Sequence, residues 1–183
     1  MQVFLRILMV SVAVACTQVE PPTPEVSLLR NPTAPFGSQA DVQAIDFQGE
    51  WVVRQARAGQ WPNGAQTVRF RVGADKIVLA PAAHVCDQHG LCHGAEAEPI
   101  VYAPTKPGRW VAEFPTLAQA GGAPHEIWVL WFDFDRRTVA LGDPDGKFVT
   151  VLDRTAQGGG DRIVAAREIL DWYGYDLSQV IVR

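Results

Sequence analysis

From residue 42 onward, short runs of β-branched and aromatic residues are cut at brief intervals by Gly, Pro, Asp and Asn. Each run is a strand-length stretch, and each interruption carries turn chemistry. The clearest block is 127–154: strands at 127–134, 138–141 and 147–154, joined by turns at 135–137 and 143–146. Connections this short enforce antiparallel pairing, because parallel neighbours need a crossover of about a dozen residues. Further strands are expected at 49–54 (led into by 42–47), 67–72, 77–79, 99–103 and 109–114.

The period changes to 3–4 residues after 160. Ile163, Ala166, Leu170 and Tyr173 form one apolar stripe, which predicts a helix over 163–173 packed on the sheet. Asp161 suits its N-terminal dipole, and Gly174 is placed to cap its C-terminus. A last short strand follows. The expected fold is all-β: an eight-stranded antiparallel up-and-down β-barrel, a C-terminal α-helix and a short ninth strand. Closing the sheet removes its edges.

Loop lengths orient this barrel. Connections 58–66, 82–94 and 115–125 are long, though 143–146 in the same set is short, whereas 73–75, 106–108 and 135–137 are tight. In an up-and-down barrel the two sets lie at opposite ends, so the long set surrounds a mouth. Trp51, at the start of the first strand, falls at the closed end.

The first 41 residues follow another pattern. Residues 1–15 carry one cation, Arg6, then an apolar run too short to span a bilayer, as in an export signal. Small residues precede Cys16, and the Pro-rich stretch from 17 reads as a tether. The domain boundaries expected are a signal peptide over 1–15, a lipidated Cys16 and tether over 16–41, and a barrel over 42–183. The alternative at Cys16 is plain cleavage after Ala15 and a soluble periplasmic product.

Composition narrows function. Of 183 residues, 48% are hydrophobic and 20% charged, and the net charge is -4. That is a globular composition with no basic face for nucleic acid. No nucleophile motif, phosphate loop or zinc-protease motif occurs, so the sequence nominates no catalytic residue, and neither an enzyme nor a cofactor is expected. The acid pairs Asp133/Asp135 and Asp143/Asp145 sit in turns and read as hairpin chemistry.

One segment at the mouth is chemically dense. His84, Cys86, His89, Cys92 and His93 fall within ten residues. In an oxidising compartment Cys86 and Cys92 would pair as a disulfide. The other reading is a metal or haem site on the same five residues, although their spacing fits no zinc motif and lacks the haem-attachment pattern.

Several motifs together resemble the lipocalin family, in particular the bacterial outer-membrane lipoprotein type. Gly49-Glu50-Trp51 is similar to its G-x-W motif. Asp133-Phe134-Asp135 stands where many members carry T-D-Y. The hairpin at 142–148 with Arg154, and the helix running into 173–178, resemble its C-terminal set. The small residues before Cys16 resemble a lipobox. The resemblance implies a structural role for Gly49, Trp51 and Arg154. It also implies a small hydrophobic ligand, a fatty acid (palmitate) or lysophospholipid, bound, stored or transported at the outer membrane facing the periplasm. Phe70, Trp110, Trp128, Trp131, Phe132 and Phe134 are the aromatics expected to line a pocket, and Arg57, Arg69 and Arg71 the candidates for a headgroup. Strand register decides which of them point inward. A lipocalin-fold enzyme is the remaining alternative.

Overall fold

The computed structural model describes residues 29–61, 65–86, 92–96, 98–120 and 123–182. Ten strands are defined among them: β1 (Gly49–Arg57), β2 (Thr67–Gly73), β3 (Lys76–Cys86), β4 (Cys92–Glu96), β5 (Ile100–Lys106), β6 (Arg109–Ala112), β7 (Glu126–Phe132), β8 (Thr138–Gly142), β9 (Val149–Asp153) and β10 (Val180–Val182). Every pairing is antiparallel, and β1–β2–β3–β5–β6–β7–β8–β9 closes when β9 pairs β1. The fold is therefore a closed eight-stranded up-and-down barrel. β10 continues the edge of β1 beyond the point where β2 leaves it, with Val182 opposite Gln55.

The expected loop 82–94 is in part a strand pair. β3 runs on to Cys86 and β4 pairs back on it, so that a hairpin projects from the mouth. Two helices complete the fold: α1 (Pro115–Ala120) in a mouth connection and α2 (Gly160–Trp172) across the barrel wall. Ile163, Ala166 and Leu170 are the buried face of α2, packed on Leu130, Ala140 and Val151. Its C-terminus is closed by Gly174 at φ +83°, with Tyr175 N–H donating to Leu170 O and Gly174 N–H to Asp171 O. That is a Schellman ending, which favours glycine.

Residues 29–41, read from sequence as the end of a tether, lie against the barrel. Arg30 pairs with Tyr175, and its guanidinium donates to the carbonyls of Tyr173, Ala34 and Pro35. Phe36 stacks on Trp128 at 4.9 Å and meets Tyr173 at 5.5 Å. Gln39 N–H donates to Val129 O. This strap starts beside Gly146 in the β8–β9 turn, at the mouth, and ends at a 3₁₀ turn (Ala44–Phe47) under the opposite end.

Candidate functional site

The two ends of the barrel are built differently. At the closed end Phe47 meets Phe70 at 5.1 Å, Trp110 at 5.4 Å and Phe132 at 5.8 Å, and Trp51 meets Phe132 at 5.7 Å. These five rings are buried, and they plug the narrow end. Trp51 Nε1 donates to Phe47 O at 2.7 Å. Arg154 covers its other side, with Cζ 3.6 Å from the indole centroid. Arg154 also donates to the carbonyls of Asp46, Gln48 and Glu50. Gly49 takes φ +105°, and a Cβ there would stand 3.3 Å from the guanidinium. The three residues expected to be structural are thus in mutual reach.

The six aromatics expected to line a pocket separate into two sets. Phe70, Trp110 and Phe132 point inward, within the plug. Trp128 and Trp131 do not: a bulge between Val129 and Trp131 shifts the register, so Val129 and Phe132 face inward and the tryptophans face out. Trp128 lies under Phe36, with the Arg109 guanidinium 3.5 Å from its centroid. Phe134 is 99% exposed at the β7–β8 turn. Among the headgroup candidates, Arg69 and Arg71 alternate with the inward Val68 and Phe70 and so stand on the outer wall, Arg69 beside Glu50. Arg57 is at the mouth.

The mouth holds a cavity of about 350 Å³, lined by Arg57–Gln60, Ala123–His125, Asp143, Asp145, Lys147 and Phe148. Its apolar floor is Phe148, backed by Trp61 at 5.6 Å. Trp61 Nε1 donates to Thr150 Oγ1 at 3.4 Å, and Thr150 donates to Gln55 O. Tyr102, fully buried, donates to Pro124 O at 2.7 Å, and burial raises its pKa far above the ordinary phenol range. Gln60 accepts from Val149 N–H at 2.9 Å, while its buried Nε2 has no hydrogen-bond partner among the described residues. An unpaired buried donor carries a desolvation cost that a ligand acceptor would relieve.

Asp143 is the buried acid of this rim. Its Oδ1 accepts from the N–H groups of Lys147 and Phe148, both at 2.8 Å, which is the hairpin role expected of it. Burial raises its pKa, and those two donors oppose the rise. Asp133 does the same at the β7–β8 turn, accepting from the N–H groups of Arg137 and Thr138.

The side chains of His84, Cys86, Cys92 and His93, and all of His89, lie outside the described residues, as does Cys16. The backbone register is described, and it sets Cys86 directly opposite Cys92. Among the described residues no three His, Cys, Asp or Glu side chains converge as metal ligands. Sequence reading passed over Gln60, Trp61 and Tyr102. A tryptophan inside an otherwise polar Gly-Pro loop was the signal available for Trp61.

No protein family matches the chain by sequence profile, and no curated protein matches it in sequence. Solved structures match the fold. Lobster apocrustacyanin A1 superposes with a TM-score of 0.51 at 9% identity, covering 81% of this chain and 88% of that one. Apocrustacyanin C2 gives 0.51 at 10% identity over 75% and 76%, and apocrustacyanin C1 gives 0.50 at 10% over 81% and 88%. Crustacyanins are lipocalins. The fold is lipocalin-like. At these identities the likeness concerns the fold alone.

Proposed function

We propose that this chain is an exported, lipid-anchored carrier that binds a small amphipathic ligand, a fatty acid or lysophospholipid, at the mouth of its barrel. The single observation that carries the reading is the lining of the mouth cavity, an apolar floor at Phe148 beneath a polar rim. The plugged end also carries an open pocket of about 360 Å³ outside its rings, lined by Val42, Gln43, Ala44, Asp75 and the β5–β6 turn. Arg57, Lys147 and the free Nε2 of Gln60 supply donors for a carboxylate or phosphate, while Phe148 offers an apolar surface to the chain. Each methylene moved out of water contributes about 0.8 kcal/mol. Support for the anchor comes from sequence: the apolar run ending at Ala15, the small residues before Cys16 and the Pro-rich stretch after it. The proposed location is the outer membrane, facing the periplasm. The reading assigns binding and no catalysis.

A second reading is favoured by the packing of the middle of the barrel. Ile77, Leu79, Tyr102, Ile127 and Leu141 have no exposed surface. A barrel filled in this way suits an envelope protein that works through its outer surface.

Native mass spectrometry of the mature chain, purified without added lipid, separates the two. Adducts in the fatty acid or lysolipid range that disappear on Phe148→Asp or Arg57→Glu support the carrier. A bare chain that also takes up no palmitate or lysophospholipid on titration overturns it and leaves the filled barrel. A discrete metal adduct redirects attention to His84, Cys86, His89, Cys92 and His93. The mass of the N-terminal peptide tests lipid on Cys16 separately.

A further inference from the structure

We propose that the mouth end of the barrel lies against a lipid surface, with Phe114 and Leu117 as its contact residues. The first observation is where residues 29 and 30 are held. Leu29 O accepts from Asp176 N–H, Arg30 pairs with Tyr175, and a Cβ built on Gly146 would fall 2.6 Å from that of Arg30. All three contacts are at the mouth end. Only residues 17–28 separate Cys16 from this point, a span of at most about 40 Å. An anchor at Cys16 therefore pulls on the mouth end of the barrel.

The second observation is the surface found there. Ala118 of α1 is buried in the barrel, and Ala123 N–H donates to its carbonyl, which fixes the turn of helix in place. Phe114, just before this turn, and Leu117 within it are 59% and 45% exposed. Around the cavity the charges are mixed: Arg57 and Lys147 against Asp143 and Asp145. A phospholipid headgroup layer meets no field of one sign.

The closed end offers a comparable pair, Phe134 and Ile45, the latter 60% exposed. Those two lie at the far end of the strap from Leu29, among Asp41, Asp46 and Asp135, which pair with Arg136 and Arg137. The exit point of the chain decides between the ends. The consequence is that the cavity opens toward the bilayer from which a lipid ligand would come.

The inference rests on the reading of Cys16 as the anchor, so its test supplies the attachment artificially. The mature chain is held through an oligohistidine tag ahead of Thr17 on phosphatidylethanolamine–phosphatidylglycerol vesicles containing a nickel-chelating lipid. Amide hydrogen exchange is compared with that of the free protein. Several-fold slowing at 114–118, with none at 133–137, is the expected result, and Phe114→Ser with Leu117→Ser abolishes it while Phe134→Ser does not. Slowing at 133–137, or at neither end, overturns the inference. Absence of lipid on Cys16 in the native protein counts against the anchor and leaves this measurement unaffected.

Discussion

Arg154 lies over Trp51, its Cζ 3.6 Å from the indole centroid, and joins the last barrel strand to the first. The contact seals the barrel at the seam where β9 meets β1. Burial lowers the pKa of Arg154, but far too little for it to lose its proton near neutrality. Arg154→Ala removes the cation–π contact and leaves three carbonyls without this donor. It is expected to cost about 2–4 kcal/mol in urea denaturation. Arg154→Lys recovers less than half, because an ammonium cannot fork to Asp46, Gln48 and Glu50 together. Equal stability of wild type and Arg154→Ala would show that the seam holds without it.

Asp153 ties α2 to the same end. It is fully buried, accepting from Thr138 Oγ1 at 2.6 Å and Arg162 Nη2 at 2.9 Å. Burial alone would raise its pKa; the donors Thr138, Thr155 and Arg162 outweigh burial and lower it. A depressed folded pKa stabilises above the unfolded carboxylate value of about 3.9, and that stability is lost as pH falls through the folded value. Asp153→Ala is therefore expected to destabilise by about 3 kcal/mol at pH 7. The deficit shrinks below pH 4. A deficit independent of pH would assign the loss to packing alone.

Asp143 has the opposite sign. Its raised pKa means that the folded state favours the protonated acid. The associated stability is present below the unfolded pKa and is lost as pH rises through the folded one. Asp143→Asn keeps an oxygen for Lys147 and Phe148 N–H and removes the charge. It is expected to match or exceed wild-type thermal stability at pH 7 and to fall below it in relative terms at pH 3. Asp143→Ala loses both acceptors and is less stable at either pH.

Gly174 tests the strap. At φ +83° a Cβ would come within 2.6 Å of that of Ala34. Gly174→Ala is expected to cost more than the roughly 1 kcal/mol of left-handed strain alone, since the strap must also move. Proteolysis near residue 34 should rise with it. Unchanged proteolysis would show that the strap tolerates the shift.

Cys86 and Cys92 occupy paired register positions in the β3–β4 hairpin. A disulfide between them is expected in the exported protein, seen as a mass lower by two hydrogens that reduction restores. Two free thiols in protein from an oxidising compartment would exclude it.

The eight barrel strands, barrel closure, the helix stripe and the orientation of mouth and closed end were legible in the sequence, whereas β4, in the expected loop 82–94, was not. They follow from local periodicity and turn chemistry. The inward side of β7 was not, because one bulged residue near Leu130 exchanges the faces on which Trp128, Trp131 and Phe132 fall. The strap was hidden for a different reason. Its prolines read as an extended linker, and its partners Trp128 and Tyr173 are about a hundred residues away in sequence. The rim of the cavity draws Gln60 and Asp143 from separate loops, and nothing in either loop names the other.

The strap also bears on the order in which the molecule can be completed. Arg30 and Tyr175 belong to the beginning and the end of the folded chain, and Leu29 is hydrogen-bonded to Asp176. Phe36 can stack on Trp128 once β7 is in place, but residues 29 and 30 find their partners Tyr173, Tyr175 and Asp176 only after α2 and its Schellman turn have formed. A chain cut a few residues short of Tyr175 is therefore expected to leave residues 29 and 30 without their partners and to expose them to protease.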